Sequence, residues 1–284
     1  MNNTDFKQKY GPWAFVAGAS MGLGAALSHG AAARGLNVVM LARGEQLLRE
    51  TADDVRNKHG VEVRVLAGDL AAPEIGNTIA DATADLEIGL LVYNATYAPH
   101  GRFLDVPMDE NLKSITINCI TMPVLCNLFG KKMAERQRGG IALLGSLAAT
   151  SGALNFAVYH AGKAFEWNFA ETLWTELGEL GIDVTAMLIG SMSSPSYLEY
   201  VKYLDPAYAG RPDAKDPLER ARARLFNPSA PEDVARALYE QLPNGPVCYP
   251  NAVDKDLGTT SFSLPRTEAI AVGRGLQETP MRTS

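Results

Sequence analysis

Short apolar runs recur along this chain. Between them apolar residues return at intervals of three and four, the spacing that keeps one face of a helix against a core. Trp13-Ala14-Phe15-Val16-Ala17 reads as a first strand ending at Gly18, and Gly22 to Arg34 as a helix stopped by Gly35. Asn37 to Leu41 is the second strand, Glu45 to His59 the next helix with Gly60 as its stop, and Val61 to Leu66 the third strand. Ile88 to Tyr93, Ile141 to Leu144 and Ile182 to Leu188 make strands four to six, separated by long helical stretches from Asp109 to Arg136 and from Asn155 to Leu180. Pro231 to Leu242 reads as a helix, with Pro231 in its first turn and Glu232 and Asp233 at the positive end of its dipole. Val247-Cys248-Tyr249 is a short last strand.

Apolar strands alternating with helices of this length imply a parallel sheet covered on both faces. The expected fold is α/β, a single doubly wound domain over 1–256 around a mostly parallel, seven-stranded sheet, with a tail of little pattern over 257–284. The segment 191–227, with Tyr197, Tyr200, Tyr203, Tyr208 and Phe226, breaks the alternation. Long excursions after strand C-termini are where open α/β sheets build substrate sites. The tyrosines either wall a substrate pocket or pack a lid onto the core.

Composition narrows the function classes. With 284 residues, 46% apolar and 20% charged, the chain has the make-up of an ordinary soluble globular domain. A net charge of −6 removes the electrostatic reason to expect nucleic acid or an anionic membrane as partner. No run of about 18 apolar residues is present, so no membrane span is expected. The first residues, Met1 to Asp5, lack the basic flank and apolar core of a secretory signal. Cys119, Cys126 and Cys248 are odd in number and show no C-x-x-C spacing, which argues against a disulfide framework and against a metal site. A reducing cytoplasmic compartment is the expectation.

The candidate chemistry begins with Gly18-x-x-x-Gly22-x-Gly24, which lies between the first strand and the first helix. Glycine suits a tight turn where a Cβ would hold a pyrophosphate away from backbone amides, and the helix N-terminus favours phosphate. Ser20, Met21 and Leu23 lie in the same turn. The end of the second strand carries Arg43 and no carboxylate until Glu45. That favours NADP(H) over NAD(H), with Arg43 on a ribose 2′-phosphate, or else leaves Arg43 solvated in the loop. Asp69, followed by Leu70, either faces an adenine amino group or caps the next helix.

Tyr159 and Lys163 are four residues apart and share a helical face, and Ser146 stands thirteen residues before the tyrosine. A free phenol titrates at about 10, so it needs a neighbouring cation to exchange protons near neutrality. Lys163 supplies one. Tyr159 then protonates a carbonyl oxygen as hydride arrives, and Ser146 donates a hydroxyl to the same oxygen.

These motifs resemble the short-chain dehydrogenase/reductase superfamily, in its single-domain Rossmann form, over roughly Trp13 to Tyr249. The glycine motif stands as Ala17-Gly18-Ala19-Ser20-Met21-Gly22-Leu23-Gly24, and the Asn-Asn-Ala-Gly element as Tyr93-Asn94-Ala95-Thr96. The Pro-Gly element after strand six stands as Ile189-Gly190, with Met192 close behind. The resemblance implies a catalytic set of Asn118, Ser146, Tyr159 and Lys163, with Asn118 holding a water that links Lys163 to solvent. It implies a cofactor site of Gly18, Ser20, Met21, Gly22, Leu23, Gly24, Arg43, Asp69, Leu70, Asn94, Ala95, Thr96, Tyr159, Lys163, Gly190 and Met192.

Four positions depart from the pattern. Ala17 stands for a threonine, Tyr93 for an asparagine, Thr96 for a glycine and Ile189 for a proline. Tyr10-Gly11-Pro12-Trp13 resembles the opening of hydroxysteroid and long-chain 3-ketoacyl reductases. The expected substrate is thus a small-molecule ketone or secondary alcohol, bulky and apolar. A homodimer or homotetramer formed through the two long helices is implied, with Phe165, Trp167, Phe169 and Trp174 supplying apolar surface. The competing expectations are a dinucleotide-binding sensor or scaffold without turnover, and an epimerase or dehydratase. The first of these would normally have lost one of the three catalytic groups, and the second would carry a Gly-x-x-Gly-x-x-Gly turn.

Overall fold

A computed structural model describes residues 1–281, and all their side chains except those of Pro195, Ser196 and Tyr200. The sheet contains β1 (Trp13–Ala17), β2 (Asn37–Ala42), β3 (Val63–Ala67), β4 (Ile88–Tyr93), β5 (Gly139–Leu143), β6 (Ile182–Met187) and β7 (Val247–Cys248). Their order is β3-β2-β1-β4-β5-β6-β7 and every pairing is parallel. The expected seven-stranded, doubly wound α/β fold is the one observed.

The strands read as unbroken apolar runs because alternate residues serve opposite faces. Ala14, Val16, Val38, Met40, Leu90 and Val92 join one core. Their sequence neighbours Phe15, Ala17, Val39, Leu41, Leu91 and Tyr93 join the other. The first core is closed by α2 (Gly22–Ala32), α3 (Glu45–His59) and α10 (Pro231–Gln241), through Leu27, Leu48, Val234 and Leu238. The second is closed by α4 (Ile75–Ala82), α6 (Met122–Glu135) and α7 (Ala157–Gly178), through Ile79, Leu125, Phe129 and Ala170. Each such fully buried aliphatic or aromatic side chain contributes about 1.5–3 kcal/mol by leaving water.

The stretch expected as one long helix is continuous but not uniform. It runs as α5 (Met108–Ile115), a π-helical turn (Thr116–Thr121) and then α6. By length and composition alone Met108–Glu135 is sufficient to cross a membrane. Part of its apolar surface is used in the core, where Leu125, Phe129 and Met133 are buried against the sheet, while Leu112, Ile120 and Val124 are exposed.

A short helix α1 (Asn3–Tyr10) precedes β1, and the remaining helices lie after β6: α8 (Pro195–Lys202), α9 (Pro217–Phe226), α11 (Ala252–Ser263) and α12 (Arg266–Gln277). The tail that looked patternless from 257 onward therefore carries two helices, one of which begins before that point. The chain changes direction across β1, with β2 on one side and β4 on the other, so a crevice opens at the strand C-termini. Gly18, Asn94 and Ser146 all stand at that edge.

Candidate active site

The glycine turn has the geometry its residues imply. Gly18 and Gly22 adopt positive φ angles of 80° and 53°, a region that glycine enters without steric cost. A Cβ on Gly24 would stand 1.8 Å from the Gly18 carbonyl oxygen, so α2 approaches the turn as closely as backbone allows. A Cβ on Gly22 would point into open space at the first turn of α2. Met21, the N-cap of α2, gives no side-chain hydrogen bond to the helix amides. This cradle and its dipole suit a pyrophosphate.

The departures at Ala17, Tyr93 and Thr96 have visible compensations. Asn94 donates from Nδ2 to the Gly18 carbonyl at 3.0 Å, and its backbone N–H donates to the Ala17 carbonyl at 3.1 Å. The asparagine steadies the glycine turn without a hydroxyl at position 17. The Tyr93 hydroxyl donates to the Ile117 carbonyl in the π turn at 2.6 Å. Thr96 Oγ1 donates to Asn118 Oδ1 at 3.2 Å, and so does the Tyr97 N–H at 3.1 Å. Asn118 Nδ2 in turn donates to the Tyr97 carbonyl at 2.8 Å and to Ser114 Oγ at 3.1 Å. The buried amide thus locks the loop after β4 onto the π turn, a helical irregularity common at functional sites.

The candidate catalytic groups converge on the end of β5. Ser146 caps the short 3₁₀ turn Leu147–Thr150, and its Oγ accepts from the Ala148 N–H at 3.1 Å. That leaves its own proton to be donated to a substrate oxygen. The serine is also tied sideways, through a parallel bridge to Ile189 and the Leu147 N–H donating to the Ile189 carbonyl at 2.9 Å. On α7, Tyr159 is half-buried, and Lys163 Nζ lies 6.0 Å from the centroid of its ring. Lys163 is almost wholly buried, and its ammonium donates to the Leu144 carbonyl at 2.7 Å, two residues before Ser146. It also donates to Glu166 Oε2 at 2.8 Å. Burial alone would push Lys163 down; the Glu166 carboxylate, helped by Tyr159, outweighs it and holds the lysine above its ordinary value.

Beside Tyr159, Phe156 makes an edge contact at 6.0 Å, and His100 makes another with Phe156 at 4.9 Å. His160 meets the Tyr159 ring edge-on at 5.9 Å as well, and its Nδ1 lies 2.6 Å from the Ser151 carbonyl oxygen. At the far end Arg43 is exposed, within electrostatic reach of Tyr97, whose hydroxyl donates to Glu110. Asp69 Oδ1 accepts from the Ala71 N–H at 3.0 Å and closes the turn after β3, and the Leu70 carbonyl accepts from Thr121 Oγ1 at 2.7 Å.

The Gly190 turn brings in residues that motif reading missed. The Gly190 N–H donates to Asp254 Oδ2 at 3.1 Å, and a Cβ at 190 would meet Asp254 Oδ1 at 2.3 Å. Asp254, on α11, is completely buried and accepts from Arg224 of α9 at 2.6 Å (Nε to Oδ1) and 3.1 Å (Nη2 to Oδ2). Asn251, the N-cap of α11, adds a bond to Oδ2 at 3.2 Å. The tail therefore fixes the turn next to Ser146 and Met192. It also lies over the serine's own turn. Arg266 donates to the Thr150 carbonyl at 2.7 Å, and Thr150 Oγ1 donates to Ser261 Oγ at 2.8 Å. The lid tyrosines do not form one wall. Tyr197 donates to the Leu225 carbonyl at 2.6 Å, whereas Tyr203 is 59% exposed, and the side chain of Tyr200 lies outside the described residues.

Known proteins resemble this chain in sequence and in fold. The model of the short chain dehydrogenase family matches residues 12–201. The chain is 31% identical over 194 residues to the 7beta-hydroxysteroid dehydrogenase of Collinsella aerofaciens, covering 68% of this chain and 74% of that one. It is 28% identical over 214 residues to the inactive hydroxysteroid dehydrogenase-like protein 1 of Homo sapiens, covering 72% and 65% of the two. A solved structure reported for 7beta-hydroxysteroid dehydrogenase stereoselectivity superposes with a TM-score of 0.83 at 27% identity, covering 95% of this chain and 98% of that one.

Proposed function

Because the chain belongs to the short-chain dehydrogenase family, as its oxidoreductase fold and relatives also indicate, we propose that it is an NADP(H)-dependent enzyme interconverting a ketone and a secondary alcohol. The observation that carries this reading is the convergence at the end of β5: Lys163 bonded to the Leu144 carbonyl at 2.7 Å, one turn from Tyr159 and two residues from Ser146. The glycine cradle fits a dinucleotide, which supplies or accepts the hydride when bound.

The residues do the rest. Tyr159 gives its phenolic proton to the carbonyl oxygen in reduction and takes it back in oxidation. Ser146, with Oγ already accepting from Ala148, donates its remaining proton to that oxygen and orients the carbonyl. Lys163 places a cation one helical turn from the phenol, which favours the phenolate. Asn118, whose side-chain amide ties the loop after β4 to the π turn, is the residue that would hold a relay water between Lys163 and solvent. Arg43 carries the choice of NADP(H), since no carboxylate follows β2 until Glu45. Asp69 and Leu70 border the adenine, Asn94, Ala95 and Thr96 the ribose, and Gly190 and Met192 the nicotinamide.

The substrate is a bulky apolar ketone or alcohol of the steroid or fatty-acyl type. The hydroxysteroid dehydrogenases among its relatives support that class, as does the aromatic group of His100, Phe156 and Tyr159 beside the catalytic edge. A homodimer or homotetramer in a reducing cytoplasm completes the reading. Leu112, Ile120, Val124, Phe165 and Trp174 are exposed along α5, the π turn, α6 and α7, while Trp167 and Phe169 are partly buried against the core.

The test is dinucleotide oxidation by the purified protein over steroids, 3-ketoacyl thioesters, cyclic ketones and aryl ketones, with NADPH and NADH side by side. Turnover that prefers NADPH and one ketone class is the expected result. Equal or better turnover with NADH overturns the role given to Arg43. Dinucleotide binding with no turnover in either direction favours a sensor or scaffold, the reading that the inactive human relative keeps open.

A further inference from the structure

Lys163 has three N–H donors, and two of them are already engaged within the protein. One goes to the Leu144 carbonyl at 2.7 Å and one to Glu166 Oε2 at 2.8 Å. Both side chains are buried, with 4% and 3% of their surfaces exposed. The other carboxylate oxygen, Glu166 Oε1, is buried without a hydrogen-bond partner among the described residues. An unpartnered carboxylate oxygen at such depth has a cost. A residue that only filled space here could be apolar and avoid it.

The titratable groups facing Glu166 come from four elements. On α7 it meets Lys163, with Tyr159 one turn further back. Cys119 of the π turn, Cys126 of α6 and Tyr93 of β4 all feel its charge, and all three are held above their ordinary values, by burial first and by Glu166 second. These three are neutral near pH 7, so among the described residues Lys163 is the one cation facing the carboxylate. A lysine ammonium buried without a counter-charge loses its proton, because the apolar surroundings penalise the charged form.

We propose that Glu166 is a positioning residue for the reaction, holding Lys163 as an ammonium and fixing one of its donors, as the Leu144 carbonyl fixes another, so that the third is left for Tyr159 and the cofactor ribose. The proposal rests on the functional reading above, because only a dinucleotide at the glycine turn gives that third donor its acceptor. It adds a requirement to the Ser146, Tyr159 and Lys163 set. The lysine works at neutral pH only while its own counter-ion, three residues along the same helix, stays ionised.

Two measurements on the full chain test this. In the apo protein labelled with ¹³Cε-lysine, the Lys163 signal is identified by its loss in Lys163→Arg and followed through pH. With Glu166 present it titrates above the ordinary lysine value of about 10.4. In Glu166→Gln, which keeps shape but not charge, it titrates below that value. Glu166→Asp restores the wild-type behaviour at least in part.

The second measurement is NADPH affinity against pH in a Tyr159→Phe background, which removes the other titrating group. Between pH 7.5 and 9.5 the dissociation constant stays flat with Glu166 and weakens at least fivefold in Glu166→Gln. An unchanged Lys163 titration in Glu166→Gln overturns the proposal, and so do superimposable affinity curves. If no variant binds a dinucleotide, the functional reading fails, and the lysine titration alone decides whether Glu166 sets the charge.

Discussion

Two ion pairs are buried on either side of the candidate site, and they are built differently. Arg224 and Asp254 come from helices 30 residues apart in sequence, meet through two bonds of 2.6 and 3.1 Å, and have their spare valences filled by Ser229, Asn251 and the Gly190 N–H. Lys163 and Glu166 are three residues apart on one helix and meet through one bond of 2.8 Å, leaving Glu166 Oε1 unmatched and one ammonium donor open. A buried pair with every atom satisfied is a clasp, holding elements in place. A pair with an open donor is aimed at something. The first fixes the lid and tail to the turn after β6, and the second supports the chemistry at the end of β5.

The strongest way to separate them is to remove the phenol that the open pair serves. Tyr159→Phe is expected to lower ketone reduction by about 10³-fold or more, the upper part of the range for a lost general acid. NADPH affinity should change little, because the ring and its helix stay in place. Stopped-flow turnover and fluorescence binding on the same sample read both. Substantial turnover in this variant would remove Tyr159 from the acid role.

Asp254→Ala attacks the clasp instead. It leaves the Arg224 guanidinium buried without its counter-charge and frees the Gly190 turn, a change that typically costs about 3–5 kcal/mol of stability. Urea unfolding measures it directly. Replacing both partners by apolar residues, Arg224→Met with Asp254→Leu, is expected to regain most of that loss. If Asp254→Ala unfolds at the wild-type midpoint, the pair is not a clasp, and the contrast with Lys163 and Glu166 disappears.

The two pairs also differ in what the sequence discloses. Glycine spacing, the i and i+4 relation of Tyr159 and Lys163, and the strand alternation are all local, and local geometry repeats faithfully from sequence to structure. The parallel sheet was legible for that reason, and so was the identity of the residues gathered at its edge. Glu166 is just as local, yet an acidic residue on a helix reads as solvated until depth is known. Arg224 and Asp254 are joined only by tertiary packing, and nothing in their neighbours announces the other. The tail helices were hidden for a related reason. They dock through glycines: a Cβ at 258 would strike Tyr249 at 2.8 Å, one at 273 would press on Ala153 at 3.2 Å, and one at 275 would meet Leu218 at 2.7 Å. Glycine in such a stretch reads as a helix breaker, and Val253 and Phe262, the residues an apolar stripe would use, are exposed. The π turn around Asn118 likewise has no pattern of its own.

A smaller effect is expected where charge meets solvent rather than core. Arg43 is exposed after β2, so it contributes only through a phosphate it would meet, not through packing. Arg43→Ala is expected to narrow the preference for NADPH over NADH by about tenfold, the low end for a charge-assisted hydrogen bond in an open site. Steady-state kcat/KM for the two dinucleotides gives the ratio. A ratio that does not move assigns Arg43 to the solvated loop.

The smallest effect lies at a third polar pair, far from the chemistry and only partly buried. His29 Nδ1 lies 3.1 Å from His59 Nε2, and His29 Nε2 lies 3.0 Å from Asp54 Oδ2. One of the two facing ring nitrogens must accept, so the pair keeps at least one imidazole neutral. Both rings are held below the ordinary histidine value: His29 by burial, which outweighs the opposing Asp54 carboxylate, and His59 by burial and then by His29. A base depressed in the folded state binds more protons when unfolded. Its contribution is therefore complete above the unfolded value of about 6.5 and is lost as pH falls through the lowered folded value. The melting temperature should decline modestly from pH 7 to pH 5, and His59→Gln should flatten part of that slope, whereas Glu166→Gln should leave it as it is. If His59→Gln leaves the slope unchanged, carboxylates elsewhere carry the acid sensitivity. Solvent screening would then have reduced this partly buried pair to nothing, while the two fully buried pairs keep their effects because water does not reach them.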